Sequence, residues 1–329
     1  MKLSFFGDTV LDKAYKIDFE IDKFIFNLES PLSCKGTPAL FKVNICQDSS
    51  YIADTFKTIP LAVSLANNHI MDFGEEAFAK TKASLEIQSI PFFGAGLKGE
   101  NFNNPSIIKF ADKKIGLCGY SCVSTHPVFG DDNSNGSAIL ALESMILDIE
   151  LLKLEVDFIV VQPHWGIQEI PFPRFSDREI AHSLIDAGAD IIIGHHAHVI
   201  QSHEIYRGKH IFYGLGNFIF PDLDVPTRYD GEKFTARRIK KQEIEHRRSM
   251  VITLDENLKV DFFTVVLDNG VVKKSNFPIP KWLPSSESSF RRKLSFYNKK
   301  AMLKRFIRNP KLPNFGHFKS LFSSPDTNF

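Results

Sequence analysis

The chain has 329 residues, of which 43% are apolar and 24% charged, and its formal net charge is +1. These values belong to a globular protein and exclude a disordered, collagen-like or coiled-coil chain. The near-neutral total also excludes a binder of polyanions through bulk charge, and the length fits one large α/β domain with an appendage.

In chain order, the apolar run 3–6 reads as a first strand rather than as part of a leader peptide. Further strands are expected at 24–28, 61–65, 107–110, 115–118, 158–162, 191–193 and 211–213. Residues 250–254 and 260–266 alternate partly, as antiparallel edge strands do. Helical spacing appears at 75–87 and at 177–187, where Ile180, Leu184 and Ile185 form a stripe. Buried strands alternating with helices predict a layered α/β sheet. No apolar run approaches the ~20 residues of a membrane-spanning helix. Cys34, Cys46, Cys118 and Cys122 match neither a disulfide framework nor a short-spaced zinc site, so reduced structural thiols in a cytoplasmic protein are expected.

Charge divides the chain. From residue 281 onward eleven Lys and Arg face only Glu287 and Asp326, whereas the rest of the chain is net acidic. Pro278, Pro280 and Pro284 punctuate the change. The expected organisation is a domain at 1–275 and a basic, partly helical extension at 276–329.

Polar residues gather at the ends of the strands. The first runs into Gly7-Asp8, the second into Glu29, the third into Asn67-Asn68-His69 and Asp72. The strand at 158–162 runs into His164-Trp165-Gly166, and 191–193 into Gly194-His195-His196-Ala197-His198. Ligand sites of open α/β sheets collect at carboxyl strand ends, so these clusters are expected to converge. Carboxylate, amide and imidazole donors together suit Mn, Fe or Zn, and a pair of such ions clamps a phosphoryl group. Singly, each residue also has a plain reading: Gly-Asp is a common turn, Glu29 a cap, His164 a core histidine, and Asn67-Asn68 a helix start. Three histidines in four positions are harder to read that way.

These residues stand in a longer ordered series. It comprises Gly7-Asp8, Asn27-Leu28-Glu29-Ser30-Pro31, Ala66-Asn67-Asn68-His69 with Asp72 and Gly74, Gly94-Ala95-Gly96 and His164-Trp165-Gly166. It continues through Gly188-Ala189-Asp190, Gly194, His196 and His198 to Tyr213-Gly214-Leu215-Gly216-Asn217-Phe218. Over about residues 2–270 the chain resembles the bacterial capsule-synthesis CapA family, associated with poly-γ-glutamate production, within the calcineurin-like metallophosphoesterases. The resemblance implies a four-layer αββα sandwich with two divalent metal ions. It implies that Asp8 binds one ion, Glu29 bridges both, Asn68, His164 and His196 bind the second, and His198 returns to the first. His69 is then the proton donor to the leaving group, oriented by Asp72, which raises its pKa, and a metal-bound hydroxide is the nucleophile. His195 falls between motif positions and reads as a group beside the metals or facing substrate. One departure stands out: most metallophosphoesterases carry Asp-x-His at the first strand, and here that position is Val10.

The glycines of 214–216 lack the Lys-Ser/Thr of a phosphate loop and are expected to let the backbone pass close to the site, with Asn217 holding a neighbouring loop. Residues 228–248 carry eight basic and four acidic side chains and read as a solvated charged helix, or as a flap whose arginines clamp an anion. In the tail, Phe290, Leu294, Tyr297, Ala301, Phe306 and Ile307 fall near helical spacing among basic residues, suiting an anionic membrane surface, a partner or the protein's own core. Nucleic acid has no other support. The expected function is that of a phosphoesterase-like enzyme of capsule, poly-γ-glutamate or exopolysaccharide synthesis, acting on an anionic substrate or surface polymer. Its expected location is cytoplasmic, with the inner face of a membrane-bound polymer-synthesis complex as the alternative. The rival reading is a non-catalytic metal-binding assembly component of such a complex.

Overall fold

A computed structural model describes residues 1–99 and 105–308. The chain divides into two compact units, Met1–Leu283 and Pro284–Phe329.

The first unit is built on two sheets. Nine strands form the first, in the order Lys16–Ile17, Val271–Ser275, Val260–Asp268, Arg248–Asp255, Lys2–Thr9, Lys23–Leu28, Ala62–Ser64 and Phe92–Phe93, with Asn217–Ile219 also pairing with Lys2–Thr9. Six form the second, in the order His203–Tyr206, Lys209–Phe212, Ile191–Ile193, Phe158–His164, Lys113–Ser121 and Ser106–Phe110. Lys2–Thr9, Lys23–Leu28 and Ala62–Ser64 run parallel, as do Lys113–Ser121, Phe158–His164 and Ile191–Ile193. Parallel strands covered on both faces read as continuous apolar runs, which is why 3–6, 24–28 and 158–162 were legible.

Three buried layers show the stacking. Leu3, Phe5, Ile25, Met250 and Ile252 meet Leu117, Val160, Ile193 and Phe212 between the sheets. On the outer face of the first sheet, Phe6, Phe24 and Phe26 pack against helices α1 (Ser50–Phe56) and α2 (Gly74–Ile87) through Ile52, Phe56, Phe78 and Leu85. On that of the second, Tyr120, Ile159 and Ile192 pack against α3 (Leu142–Leu152) and α4 (Phe175–Ala187). The result is the αββα sandwich that the resemblance implied. Phenylalanine dominates the first outer layer: Phe6 stacks on Phe218 with centroids 4.1 Å apart, and Phe24 on Phe56 at 4.5 Å.

Two expectations are corrected here. Residues 228–240 are not part of a charged helix: Leu223–Tyr229 and Phe234–Lys240 form a two-stranded antiparallel ribbon whose second strand is mostly exposed. Residues 235–239 are all exposed and do not alternate, so this ribbon strand leaves no period in the sequence. Cys34 and Cys46 are not reduced thiols: they form a disulfide, with Cα atoms 5.4 Å apart. The loop between them folds back on Asp72, and no spacing rule reveals such a return. Cys118 and Cys122 remain free.

In the second unit, α5 (Glu287–Arg308) starts where Ser286 Oγ accepts the Ser289 N–H at 3.2 Å. Phe290 is buried, while Phe296, Leu303 and Ile307 are exposed. The Phe306 side chain and residues 309–329, part of the expected extension, lie outside the described residues. No described helix is long and apolar enough to cross a membrane.

Candidate metal centre

Asp8 is the penultimate residue of its strand, Glu29 follows Lys23–Leu28 directly, and His164 ends Phe158–His164. Parallel pairing keeps the ends that carry Asp8 and Glu29 together in the first sheet, and the end of Phe158–His164 in the second sheet faces them, so the chain delivers two carboxylates and an imidazole to one place. Ligand atoms of Asp8, Glu29 and His164 all lie within 4.8 Å of one another, and all three residues are buried.

The other expected residues surround this trio. His164 Nε2 lies 2.9 Å from Asn68 Oδ1, 3.2 Å from His196 Nδ1 and 3.6 Å from Glu29 Oε1. His198 reaches in from the opposite side, its Nδ1 3.2 Å from Asp8 Oδ2 and its Nε2 3.7 Å from Glu29 Oε1. Glu29 therefore stands between an Asn68–His164–His196 group and an Asp8–His198 group. The residues after Ile191–Ile193 reach inward in bent backbone, with φ of +85° at His196 and +56° at His198. Such conformations are costly for non-glycine residues and persist where surroundings fix them.

Electrostatics favour a cation. Burial pushes the Glu29 carboxyl well above the usual carboxylate range, and the neighbouring Asp8 charge adds to it. Burial also acts on Asp8, but hydrogen bonds from His195 and His198 outweigh it and hold Asp8 well below that range. Burial lowers both His164 and His196, helped by their imidazole neighbours, keeping them neutral and able to donate lone pairs. Glu29 Oε1, His164 Nδ1 and His195 Nε2 are buried without a hydrogen-bond partner among the described residues. Orphaned buried polar atoms are expensive, and a divalent ion would satisfy the acidic one and relieve the repulsion between Asp8 and Glu29. The donor set thus fits a metal.

His69 and Asp72 adjoin the cluster. Asp72 Oδ2 accepts from His69 Nδ1 at 2.6 Å and from the Ile45 N–H at 2.8 Å. The expected rise in the His69 pKa is not what the site produces: burial lowers it, and the opposing pull of Asp72 is insufficient.

Several supporting residues were not singled out from sequence. Asn27 donates to Asp8 Oδ1 at 2.9 Å and to Glu29 Oε2 at 2.5 Å, and Asn67 in turn donates to Asn27 Oδ1 and to the Leu28 carbonyl. Both lie inside quoted motifs, one or two residues from a ligand, which is the signal that could have found them. Lys42 carries no such signal. It sits in the loop closed by Cys34–Cys46, pairs with Asp72 and donates to the Asn68 carbonyl at 2.5 Å. The ribbon holds that loop through the Arg228 N–H and the Thr227 hydroxyl, both donating to the Lys42 carbonyl. Asn217 behaves as expected, donating to the His246 carbonyl at 2.9 Å, and it also lies 2.9 Å from His198 Nδ1.

Four layers with carboxylates and imidazoles gathered at strand ends define an αββα sandwich with a candidate metal cluster. More particularly, the chain belongs to the bacterial capsule synthesis family PGA_cap, which matches it over residues 5–222. The PGA biosynthesis protein CapA of Bacillus subtilis (strain 168) is 36% identical over 252 residues, covering 67% of this chain and 66% of that protein. The capsule biosynthesis protein CapA of Bacillus anthracis is 32% identical over 167 residues, covering 48% of this chain and 39% of that protein. The chain therefore matches about two thirds or less of the length of these relatives. Among solved structures, a phosphatase from Mycoplasma pneumoniae aligns with a TM-score of 0.47 at 13% identity, covering 84% of this chain and 94% of that one. A putative 5′-nucleotidase from Staphylococcus aureus aligns with a TM-score of 0.45 at 12% identity, covering 90% and 58%.

Proposed function

We propose that the protein is a metal-dependent, phosphoesterase-like hydrolase serving the synthesis of a capsule or surface polymer, poly-γ-glutamate or an exopolysaccharide. The observation that carries this reading is the convergence of Asp8, Glu29 and His164 ligand atoms within 4.8 Å, next to the His69–Asp72 pair. Residues 1–275 are the catalytic domain on this reading and 276–329 a basic extension. Asp8 and His198 would hold one ion and Asn68, His164 and His196 a second, with Glu29 available to either, and Mn, Fe or Zn would match these donors. A metal bound there would supply Lewis-acid stabilisation of phosphoryl oxygens and lower the pKa of water.

The chain's own residues do the rest. Asn27 aims both carboxylates. Asp72 accepts from Nδ1–H of His69 and stabilises the imidazolium that carries a second proton on Nε2; that Nε2 proton would pass to the departing oxygen, leaving His69 neutral. Lys42 balances the charge of Asp72 and anchors the carbonyl of Asn68. Disulfides persist in oxidising compartments, so the Cys34–Cys46 bridge supports a location outside the reducing cytoplasm, against the inner-face location that reduced thiols would suit. The substrate or polymer is anionic, and a membrane-bound synthesis complex is the proposed partner.

A second reading, a metal-binding assembly component without turnover, is favoured by Val10 at the position where an imidazole is expected. Elemental analysis of the purified protein, paired with hydrolysis of an aryl phosphodiester under added Mn, separates the two. Near-stoichiometric metal and turnover, both lost in a His164→Ala/His196→Ala variant, are expected. Metal without turnover on any phosphoester establishes the assembly reading, and no metal after Mn loading overturns both.

A further inference from the structure

Residues 34–46 cross Asp72 without a helix or strand of their own, bridged to the ribbon only at Leu40–Tyr229 and Val43–Thr227. Three groups of this loop meet Asp72. The Ala39 N–H donates to its carbonyl at 2.8 Å, the Ile45 N–H donates to Oδ2 at 2.8 Å, and the Lys42 ammonium pairs with Oδ1. Lys42 also donates to the Asn68 carbonyl. The loop lies close on this side: Gly36 has a φ of +140°, and a Cβ there would stand 2.1 Å from the Phe73 carbonyl oxygen. Cys34 and Cys46 close the loop, twelve residues apart, and Cys34 is exposed.

We propose that the Cys34–Cys46 bridge is a redox latch on the His69–Asp72 pair: oxidation seats the loop on Asp72, and reduction by a dithiol releases it. The inference rests on the hydrolase reading above, in which Asp72 stabilises the His69 imidazolium. The loop is anchored outside the bridge as well. Gln47 N–H donates to the Pro31 carbonyl at 3.0 Å, Leu11 N–H to Gln47 Oε1 at 2.6 Å, and Leu32 N–H to the Thr81 hydroxyl of α2 at 2.9 Å. Opening the bridge therefore frees the residues between the cysteines and leaves the sheet beneath them in place. A cross-link removes conformational freedom from the open state of its loop. Residues 34–37, 40 and 41 are exposed, so little buried surface holds them once the link is gone. Asp72 then loses its cation and the Ile45 N–H together, and with them the contacts that aim it at His69.

The chemistry is thiol–disulfide exchange. One thiolate of the dithiol attacks the exposed Cys34 sulfur, and the Cys46 sulfur leaves and takes a proton. The second thiol of the reductant displaces Cys34 from the mixed disulfide. Two electrons and two protons have then passed to the chain, and the reductant ends as a disulfide. Oxidation is the reverse, with a disulfide as the acceptor. Cys118 and Cys122 are free in the bridged chain, so the thiol count is two with the latch closed and four with it open. Such a latch keeps the chain silent in a reducing compartment and completes the site in an oxidising one.

The full chain tests this when it is reduced with dithiothreitol, freed of it by gel filtration under nitrogen, and compared with the oxidised chain. Thiol titration confirms the two states. Amide hydrogen exchange is followed with no metal present, and kcat and KM for an aryl phosphodiester are then measured under added Mn. Reduction is expected to raise exchange at least about 10-fold in peptides carrying Ala39 and Ile45, with Lys23–Leu28 and Phe158–His164 still protected. It is expected to lower kcat at least about 10-fold at unchanged KM, and reoxidation should restore both. Cys34→Ser/Cys46→Ser is expected to match the reduced chain and to be indifferent to dithiothreitol. Unchanged exchange and kcat with four thiols counted overturn the proposal and leave the bridge without a role at the site. Exchange that rises through the strands also overturns it, making the bridge a staple of the whole unit. Raised loop exchange with unchanged kcat breaks the coupling to His69–Asp72, and the proposal falls with it. No turnover in either state overturns the hydrolase reading, and exchange at Ala39 and Ile45 then decides the latch separately.

Discussion

The Asp72 side chain, beside the cluster, has three partners. One oxygen accepts from His69 Nδ1 and the Ile45 N–H, and the other faces the Lys42 ammonium. The side chain is fully buried while Lys42 is about a quarter exposed. A buried carboxylate without its cation is strongly destabilising, and partial exposure of the lysine softens that penalty. Asp72→Asn keeps the shape, removes the charge and leaves Lys42 against an amide. It is expected to lower stability by about 2 kcal/mol, read from the urea midpoint at unchanged slope. It should also slow Mn-dependent diester hydrolysis by about 10²–10⁴-fold while bound metal stays constant, because no proposed ligand is altered. A fall in metal content instead would place Asp72 in the ligand set.

At the scale of elements, the edge of the second sheet gives a pH-dependent contribution remote from the cluster. His203 and His210 face each other across the hairpin His203–Tyr206 and Lys209–Phe212, with nitrogens 3.0 Å apart, and His203 stacks on Phe212. Burial lowers the His203 pKa to about 4, the nearby His210 adds to that, and Glu204 opposes it. The unfolded value is about 6.5. A histidine whose folded pKa is depressed contributes stability above its unfolded pKa and loses it as pH falls toward the folded value. Stability is therefore expected to decline between about pH 6.5 and 4. Discounted for the solvent that reaches the pair, the loss is about 1 kcal/mol. Thermal melts at pH 7.5 and 4.5 check it, and the difference should shrink in His203→Gln.

The same scale shows what could be read in advance. The helix expected at 75–87 is Gly74–Ile87 and that at 177–187 is Phe175–Ala187, because apolar spacing is a local signal. By contrast α3, with Met145, Ile149 and Leu152 buried at helical spacing, was left unassigned although its pattern was available. Asp8, Glu29, Asn68, His164, His196 and His198 come together because strand ends are where parallel sheets collect polar residues. Lys42 and the disulfide that closes its loop were illegible. Their position depends on how 34–46 returns to Asp72, which is a tertiary fact with no period in the chain.

At the scale of the first unit, Gly7 lies against Gly216, the residue before the strand Asn217–Ile219 that pairs with Lys2–Thr9 in the first sheet. A Cβ on Gly7 would lie 2.0 Å from the Gly216 carbonyl oxygen and 2.9 Å from Ser249 Oγ, and that same carbonyl accepts the Asp8 N–H at 3.1 Å. Gly7→Ala must therefore separate Asp8 from the segment carrying Asn217. The expected cost is about 3 kcal/mol, at the upper end for overpacking, with weakened metal binding in the folded fraction. Gly270→Ala is the control. Its φ is +78° but nothing lies within 4 Å of the added carbon, so only a backbone penalty of about 1 kcal/mol is expected and metal binding should be untouched. Equal losses in the two variants would show that conformation, not close approach, explains the glycine at position 7.

The strand Lys2–Thr9 lies between two neighbours from opposite parts of the sequence, Lys23–Leu28 in parallel and Arg248–Asp255 in antiparallel register. A ribosome making this chain releases the first metal-side residue, Asp8, long before the strand that completes its sheet. Pairings of such long sequence separation form slowly, since loop closure precedes any gain from contact. The nascent chain therefore exposes isolated acidic and imidazole side chains, while the enclosed cluster waits for residues near 250 to emerge. On the proposed metal-binding reading, metal capture would then report that nearly the whole unit has folded, and ion occupancy would be a terminal checkpoint of biogenesis rather than its nucleus.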